Sequence, residues 1–213
     1  MAKIFKNKTD LISNLIEDNE SVLDVGFWGQ GVSYNDQNWV HKLIRNRARS
    51  LYGIDLDFDE KLFSNNRENY FKMNAESFDI NIKNFDVIFA GDLIEHLSNP
   101  GLFLKNSYNH LKDTGRLILT TPNVFNLFNL AGKITNFEPV VNHDHTCYFN
   151  SKTITKLLQK NGWKVDQIAY LYTLDVKYKE SIKKRFLNVI YKILSYFTSK
   201  YVETMIVIAK KNV

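Results

Sequence analysis

The chain has 213 residues, of which 44% are hydrophobic and 24% are charged, and its net charge is +5. This length and composition suit one domain over residues 1–213 that buries its own core. The single cysteine, Cys147, excludes a disulfide framework, and no apolar run reaches the roughly 18 residues of a membrane-spanning helix. Because no apolar leader is visible near the N-terminus, we expect a cytoplasmic protein.

Charge is unevenly distributed along the chain. Residues 151–213 hold 13 Lys+Arg against 4 Asp+Glu, whereas residues 1–150 carry a net charge of −4. A basic tail can face nucleic acid, anionic lipid or an acidic substrate, but it is most often a solvated face. The overall charge therefore does not by itself indicate nucleic-acid binding.

The first segments predict a helix and then a buried strand. Apolar residues recur at helical spacing across Thr9–Asn19, which predicts a short helix that covers a sheet. The next run, Ser21–Val25, is apolar except for Asp24 and leads directly into a glycine-rich turn that ends at Gly31. Glycines at a strand end let a ligand approach bare backbone, so this turn predicts a nucleoside site.

The spacing of the glycines separates this turn from two common nucleotide motifs. Gly26, Gly29 and Gly31 do not follow the dinucleotide-binding pattern, and no Gly-Lys-Ser/Thr phosphate loop is present. An acid followed by glycines after the first strand resembles the first motif of S-adenosylmethionine-dependent methyltransferases with a Rossmann-like fold. Trp28 stands where that family commonly has a glycine. The resemblance implies that Asp24, Gly26, Trp28 and Gly29 contact the cofactor.

A helix and a second strand follow the turn. Helical spacing of apolar residues predicts a helix from Trp39 to Arg49, and Leu51–Asp57 predicts a strand that ends in acids. This strand–helix–strand unit is half of a Rossmann fold. In the family that the chain resembles, the acid at this strand end binds the ribose hydroxyls. Asp55 matches that position, and Asp57 is a lesser candidate.

A helix near Asp59–Asn65 and a third strand, Tyr70–Lys72, lead to the next candidate site. The family often has an acid and then a small residue here, which hold the adenine. In this chain Asn74 replaces the acid, and its amide oxygen can still accept a hydrogen bond from the adenine amino group. The resemblance therefore implies that Asn74 and Ala75 contact the adenine.

The fourth predicted strand, Phe85–Ala90, is followed by a second motif. Asp92 lies in the loop, and a helical pattern that includes Glu95 and His96 runs from Leu93 until Asn99-Pro100 interrupts it. A Glu-His pair at this place resembles small-molecule and polysaccharide methyltransferases. The resemblance implies that Asp92 meets the methionine part of the cofactor and that Glu95 and His96 lie at the cleft or support it. The alternative is that the pair only caps and supports a helix.

A fifth strand, Arg116–Asn123, is predicted to end at the same rim, after a helix over Leu102–Leu111. Residues 124–150 then form a long excursion, and such excursions often build a lid or a substrate wall. Phe125, Phe128 and Phe137 could line a pocket there, although core packing is the commoner role for each of them.

Two histidines flank Asp144 in this excursion. The strand-like segment offers no third ligand at usable spacing, so we predict no metal site. A hydroxyl acceptor must lose its proton as it attacks a methyl carbon, and a histidine can accept that proton near neutral pH. We rank His145 first, His143 second and His96 third as this base. The alternative is that the histidines only hold the loop against the body.

The final segments complete a seven-stranded pattern. Lys152–Asn161 predicts a helix, and Val165–Leu174 and Thr204–Lys211 predict the last two strands. Seven strands match the family, whose α/β sheet is mostly parallel with an antiparallel last strand and helices on both faces. Residues 178–200 predict a basic amphipathic helix, which could pack on the body, form a homodimer or contact an anionic membrane surface.

The resemblance implies an enzyme that transfers a methyl group from S-adenosylmethionine by direct displacement. It is closest to methyltransferases of sugar, polysaccharide and quinone pathways, which favours O-methylation of a sugar, a glycan or another small molecule. A nucleic-acid methyltransferase fits less well, because the fourth strand lacks the Asn/Asp-Pro-Pro-Tyr/Phe motif. A non-catalytic nucleoside-binding scaffold is a further alternative, since Trp28 and Asn74 depart from the family pattern.

Overall fold

The computed structural model describes residues 2–29, 33–127, 129–130, 142–172 and 201–212. Its strands are β1 (Ile4–Phe5), β2 (Ser21–Val25), β3 (Ser50–Asp55), β4 (Tyr70–Lys72), β5 (Phe85–Gly91), β6 (Leu111–Pro122), β7 (Trp163–Leu171) and β8 (Thr204–Lys211). Its main helices are α1 (Lys8–Leu15), α2 (Val40–Arg45), α3 (Pro100–His110) and α4 (Ser151–Lys160), with 3-10 segments at Glu60–Asn69 and Ile94–His96.

The strands form a single sheet whose topology fixes where a ligand can bind. The order is β1-β7-β8-β6-β5-β2-β3-β4. Strand β8 is antiparallel to β6 and β7, and the other pairs are parallel. The chain runs outward from β2 to β4 and then returns to place β5 beside β2. In open α/β sheets, ligands bind at the carboxyl ends of the strands where the order reverses, here between β2 and β5.

Both faces of the sheet are covered. Adjacent residues such as Val22 and Leu23 belong to different hydrophobic clusters, because side chains alternate between the faces of a strand. Helices α1 and α2 cover the face of Val22, and α3 and α4 cover the face of Leu23. Strands that are buried on both faces must be almost entirely apolar, which explains why the central strands could be predicted from the sequence.

The predicted fold class is confirmed, but the sheet has one more strand than expected. The additional strand, β1, pairs Ile4 with Tyr170 and Phe5 with Leu171 at the sheet edge. A two-residue strand is too short to produce an alternating pattern, so β1 could not be predicted from the sequence. The predicted strands Tyr70–Lys72 and Thr204–Lys211 occur with the predicted bounds.

Several predicted helices end earlier than expected. The helix predicted to reach Asn19 stops at Leu15, because Ile16 takes an extended conformation with φ −119° and ψ 130°. The helical pattern from Leu93 onward is only a short 3-10 segment before α3. Helix α3 begins at Pro100. Proline lacks a backbone N–H, but an N–H in the first turn has no partner within the helix, so no helical hydrogen bond is lost.

Two predicted segments fall wholly or partly outside the described residues. They are the amphipathic helix at 178–200, with its proposed subunit or membrane contact, and residues 128 and 131–141 of the excursion, including Phe128 and Phe137. These interpretations stay predictions. Within the parts of the chain that are described, no helix is both long enough and apolar enough to cross a membrane.

Candidate functional site

A cleft of about 740 Å³ opens at the carboxyl ends of the central strands, around the junction of β2 and β5. Its size is that of a typical small-ligand pocket. The residues predicted to contact the cofactor all line it: Asp24, Gly26, Trp28, Gly29, Asp55, Asn74, Ala75 and Asp92. Four segments that are separated in the chain, at the ends of β2, β3, β4 and β5, thus meet at one site, because parallel strands present their carboxyl ends at one edge of the sheet.

The glycine-rich turn is held against the end of β3. Gly26 has φ +77° and Gly29 has φ +60°, which L side chains rarely adopt. The Gly26 N–H donates to the Ile54 carbonyl at 2.7 Å, and the Trp28 N–H donates to Asp55 Oδ2 at 2.9 Å. Asp55 therefore orients the turn with one oxygen while its partly exposed carboxylate also lines the cleft.

An aromatic cluster packs behind this turn. The Trp28 ring meets Trp39 edge-on at 5.6 Å and Phe63 edge-on at 5.9 Å between ring centroids. The indole N–H of Trp39 donates to the Phe27 carbonyl at 2.8 Å. Trp28 thus replaces the usual glycine by anchoring the turn to a neighbouring apolar cluster. Phe27, Trp39 and Phe63 were not singled out from the sequence, where they resemble ordinary core residues.

Asp24 lines the cleft and is hydrogen-bonded to a buried histidine of α2, His41. It is only 3% exposed, and its Oδ2 lies 2.8 Å from Nδ1 of the fully buried His41. Burial raises the pKa of Asp24 and lowers that of His41, while their mutual hydrogen bond acts in the opposite direction on each. His41 was also missed, although a histidine among the apolar positions of a predicted helix was a signal that could have found it.

Asp92 is fixed at the rim by the end of β6. It has φ +48°, an uncommon conformation for a residue other than glycine. Its N–H donates to the Thr120 carbonyl at 3.0 Å, and the Thr120 hydroxyl donates to Asp92 Oδ1 at 2.9 Å. These contacts hold an exposed carboxylate at the mouth of the cleft, where a strained backbone is consistent with a functional position.

Glu95 is buried directly beyond this rim. It is 1% exposed, and within the described chain neither of its carboxylate oxygens has a hydrogen-bond partner. Burial first, and then the charge of Asp92, raise the pKa of Glu95 to about 8. The nearby Thr121 hydroxyl acts in the opposite direction but does not meet hydrogen-bond geometry, and its oxygen is buried without a partner as well. The Glu95 carboxylate and the Thr121 hydroxyl are thus buried polar groups whose lost hydration is not offset by hydrogen bonds among the described residues.

The histidine segment docks onto the backbone of Glu95. The Glu95 carbonyl accepts from the Thr146 N–H at 2.8 Å and from the Thr146 hydroxyl at 3.0 Å. This docking brings the ring of His145 edge-on to that of His96, with 4.6 Å between centroids. His96 lines the cleft. Burial first, and then the charge of His96, lower the pKa of His145, which favours its neutral, proton-accepting form.

His143 lies away from the cleft, in contrast to its ranking as the second candidate base. Its side chain is 91% exposed, and its nearest charged partner is the adjacent Asp144 at 3.3 Å. The segment is a turn and not the alternating strand that the sequence suggested, since the His145 N–H donates to the Asn142 carbonyl at 3.1 Å. Within a turn, residues two apart need not face the same side.

The same docking assembles a possible cation site. Ligand atoms of Glu95, His96 and His145 all lie within 4.8 Å of one another. A carboxylate with two imidazoles suits zinc and other divalent transition metals. The sequence offers no third ligand near His143 and His145, and on that ground no metal site was predicted. In the structure the carboxylate of Glu95, fifty residues earlier, comes beside His145.

Comparison with known proteins identifies the fold and the family. A family model described as a methyltransferase domain matches residues 2–168, which is more than three quarters of the chain. The chain belongs to the methyltransferase domain family. This family and this fold are those of class I methyltransferases that take the methyl group from S-adenosylmethionine, as the resemblance implied. The cleft at the junction of β2 and β5 is thus where a methyltransferase needs its donor site.

Individual relatives are distant. The mitochondrial ubiquinone biosynthesis O-methyltransferase of Rattus norvegicus is 27% identical over 99 residues, which are 44% of this chain and 29% of that protein. The ubiquinone biosynthesis O-methyltransferase of Rickettsia bellii (strain OSU 85-389) is 26% identical over 145 residues, which are 60% of each chain. This methyltransferase therefore spans less than two thirds of the curated relatives it matches.

A solved structure shares the architecture over nearly its whole length. A SAM-dependent methyltransferase from Archaeoglobus fulgidus superposes with a TM-score of 0.62 at 17% sequence identity, and the match covers 96% of this chain and 95% of that one. At this identity the likeness concerns the fold. The chemistry of the site has to be argued from its own residues.

Proposed function

We propose that this methyltransferase transfers the methyl group of S-adenosylmethionine to a hydroxyl group of a small-molecule acceptor. The observation that carries the proposal is the junction of two features: an acidic cleft at the strand ends, and the imidazoles of His96 and His145 at its edge. The first suits a cationic donor. The second suits the removal of a proton from an attacking hydroxyl.

The donor half of the site has acidic and apolar surface that suits the cationic sulfonium and the adenine of S-adenosylmethionine. Five aspartates line the cleft against a single lysine, Lys8, among its described lining residues. Leu56 is 70% exposed at the end of β3, and Ala75 lies in the same cleft, so both offer apolar surface for an adenine ring. Asp55, which lines the same cleft, can accept hydrogen bonds from ribose hydroxyls.

The acceptor half has a candidate base. The donor sulfonium is already activated, so the protein has to align the acceptor oxygen with the methyl carbon and receive its proton. His145 and His96 are the candidates, because they are close to the cleft and His145 is biased toward its neutral form. Glu95 could join them in holding a divalent cation, which would supply Lewis acidity to the hydroxyl.

An aromatic hydroxyl is the acceptor we favour, and a sugar or glycan hydroxyl is second. The curated relatives in the rat and in Rickettsia bellii are O-methyltransferases of ubiquinone biosynthesis. An aromatic hydroxyl is also acidic enough for a neutral imidazole to deprotonate it as it attacks. All four curated relatives that match are named as ubiquinone biosynthesis O-methyltransferases, and no side-chain arrangement among the described residues specifically favours a sugar or a nucleic acid.

The first experiment is calorimetric titration of the purified protein with S-adenosylmethionine, with NAD as the control ligand. We expect selective binding of the methyl donor, and a loss of at least about tenfold in affinity in Asp55→Ala, because that variant removes the predicted ribose contacts and the anchor of the turn. No binding by the wild-type protein would contradict the proposal and favour a scaffold.

The second experiment follows transfer of a labelled methyl group. A catechol, a sugar nucleotide and a short RNA are offered in turn, with and without a chelator. Transfer to the catechol that is lost in His145→Ala, while donor binding is retained, is the expected outcome. Transfer to the sugar nucleotide alone would move the acceptor assignment to glycans. Transfer to RNA would overturn the small-molecule assignment.

A further inference from the structure

A line of four polar side chains connects the floor of the cleft to the edge of the sheet. Asp24 Oδ2 lies 2.8 Å from His41 Nδ1, and His41 Nε2 lies 3.0 Å from the Tyr70 hydroxyl. The Arg45 guanidinium donates to the same hydroxyl oxygen. The line crosses three elements, since Asp24 is in β2, His41 and Arg45 are in α2, and Tyr70 begins β4.

The direction of these hydrogen bonds follows from which groups can donate. Arginine has donors only, so the Tyr70 oxygen must accept from Arg45. The Tyr70 hydrogen is then free to donate to His41 Nε2, which makes His41 a neutral imidazole with its proton on Nδ1. That proton is donated to Asp24 Oδ2. Burial raises the pKa of Asp24, and this hydrogen bond opposes the rise, so His41 favours the carboxylate form of Asp24.

The surroundings of His41 support this neutral form. Its ring is fully buried, with the Phe27 ring 4.7 Å away and the Trp39 ring 5.1 Å away between centroids. A cationic imidazole in this position would be destabilised, because burial removes its hydration. The titratable or charged groups that face His41 are Asp24, Tyr70 and Arg45. The positive charge of Arg45 also disfavours a second cation on His41.

Asp24 has a second carboxylate oxygen, Oδ1, that His41 does not engage. That oxygen accepts no hydrogen bond from the described residues, and Asp24 is one of the residues that line the cleft. The carboxylate of Asp55 is close enough to act on Asp24 electrostatically. Two carboxylates that face one cleft favour a ligand with positive charge near both.

We propose that His41 is a positioning residue for the methyl donor: with Tyr70 and Arg45 it holds Asp24 ionised and turned toward the positively charged amino-acid end of S-adenosylmethionine. The inference rests on the proposed use of this cleft for that donor. His41 touches no ligand itself and acts through Asp24. The adenosine end of the donor lies with Asp55, Asn74 and Ala75 and does not depend on this line of side chains.

The test compares two ligands that differ in the amino-acid end. S-adenosylmethionine has it, and 5′-methylthioadenosine keeps the adenosine and the sulfur but lacks it. In calorimetric titrations, His41→Asn and Tyr70→Phe should each lower the affinity for S-adenosylmethionine by about tenfold, the value of one charge-assisted hydrogen bond. Affinity for 5′-methylthioadenosine should stay within about twofold of wild type, because its contacts lie elsewhere in the cleft.

Tyr70→Phe is the safer variant, because it keeps the ring that packs against Phe63 and removes only the hydroxyl. His110→Asn is the matched control. His110 is equally buried, and it bonds to the Asn106 carbonyl at 2.7 Å on α3, away from the cleft. That variant should leave the ratio of the two affinities unchanged.

The outcomes are distinguishable. Equal weakening of both ligands, or no weakening of either, would overturn the positioning role and leave His41 as a packing residue. Failure of the wild-type protein to bind S-adenosylmethionine would remove the proposed function itself. An independent readout is the ¹⁵N spectrum of the His41 ring near neutral pH. A protonated Nδ1 with an unprotonated Nε2 is expected, and the opposite tautomer or an imidazolium would contradict the proposal.

Discussion

The two ends of the parallel strands differ in how a buried glutamate is paired. At the amino end, Glu20 receives two hydrogen bonds from Arg116, at 2.5 and 2.9 Å, and Asp86 receives one from Lys112 at 2.6 Å. At the carboxyl end, both oxygens of Glu95 are buried without a partner among the described residues. The same residue type is satisfied at one end and left unsatisfied at the other.

This difference separates stability from function. A buried carboxylate that is paired and hydrogen-bonded offsets its lost hydration, whereas an unpaired one costs folding free energy. A protein tolerates that cost where a ligand will later supply the missing contacts. Substitutions at the amino end should therefore change stability with donor affinity unchanged. Some substitutions at the carboxyl end should instead lower donor affinity without lowering stability.

The largest effect is expected at Glu95. Its pKa of about 8 in the folded protein exceeds the ordinary value of 4.5, so the folded state binds more protons than the unfolded state between these pH values. Stability should therefore fall as pH rises from about 4.5 to 8. At about 1.4 kcal/mol per pH unit, the upper limit is roughly 5 kcal/mol. Glu95→Gln should abolish this slope and be more stable than wild type at pH 8 and above.

The measurement for Glu95 is the free energy of unfolding in urea from pH 5 to 9, with a chelator present to keep the cation site empty. Glu20→Gln is the matched control. It alters a buried carboxylate that has a partner, so it should lower stability at neutral pH. A Glu95→Gln variant with the wild-type slope would show that Glu95 is not the group responsible.

The next largest effect is expected at Arg116. Arg116→Met keeps much of the side-chain length but leaves Glu20 buried without its ion pair, and the bond to the Leu15 carbonyl is also lost. Breaking such a pair should destabilise the fold by about 3 kcal/mol. Urea denaturation measures the loss, and titration with S-adenosylmethionine should give unchanged affinity. If a folded Arg116→Met variant lost much of its affinity for S-adenosylmethionine, the amino end of the strands would contribute to donor binding, contrary to this prediction.

Gly26→Ala should give a smaller loss of stability together with a loss of function. Its φ of +77° is strained for alanine, and the new Cβ would lie 3.0 Å from the Leu93 side chain. We expect a destabilisation of about 1 to 2 kcal/mol and a loss of about tenfold in donor affinity. Gly162→Ala is the matched control, because φ is +83° there but the site is remote from the cleft. It should lose stability and keep donor affinity.

The smallest effect is expected at Lys112. Burial raises the pKa of Asp86, but hydrogen bonds from Lys112 and the Ser21 N–H outweigh it, and the net pKa is lowered. The stabilisation is thus present above the ordinary aspartate pKa and is lost as pH falls through the lowered value. Lys112→Met should cost about 1 kcal/mol at pH 7 and less in acid. A cost that is independent of pH would point to packing alone.

The sequence by itself determined seven of the eight strands of the described sheet, the glycine turn and the acids that follow the strands. Strands buried on both faces must be apolar, and a strand end beside a ligand needs glycine or a polar side chain, so these features are local in the chain. Residues as far apart as Asp24 and Asp92 could be assigned to one cleft without coordinates, because parallel strands bring their carboxyl ends to one edge.

Only the tertiary structure decided which polar side chains meet. His41 reaches Asp24 because α2 packs over β2, and His145 reaches Glu95 because a turn docks on a backbone carbonyl fifty residues away. The turn also leaves His143 in solvent, although in the sequence it differs from His145 by only two positions. Burial and side-chain direction depend on contacts between distant segments, and local spacing carries no information about them.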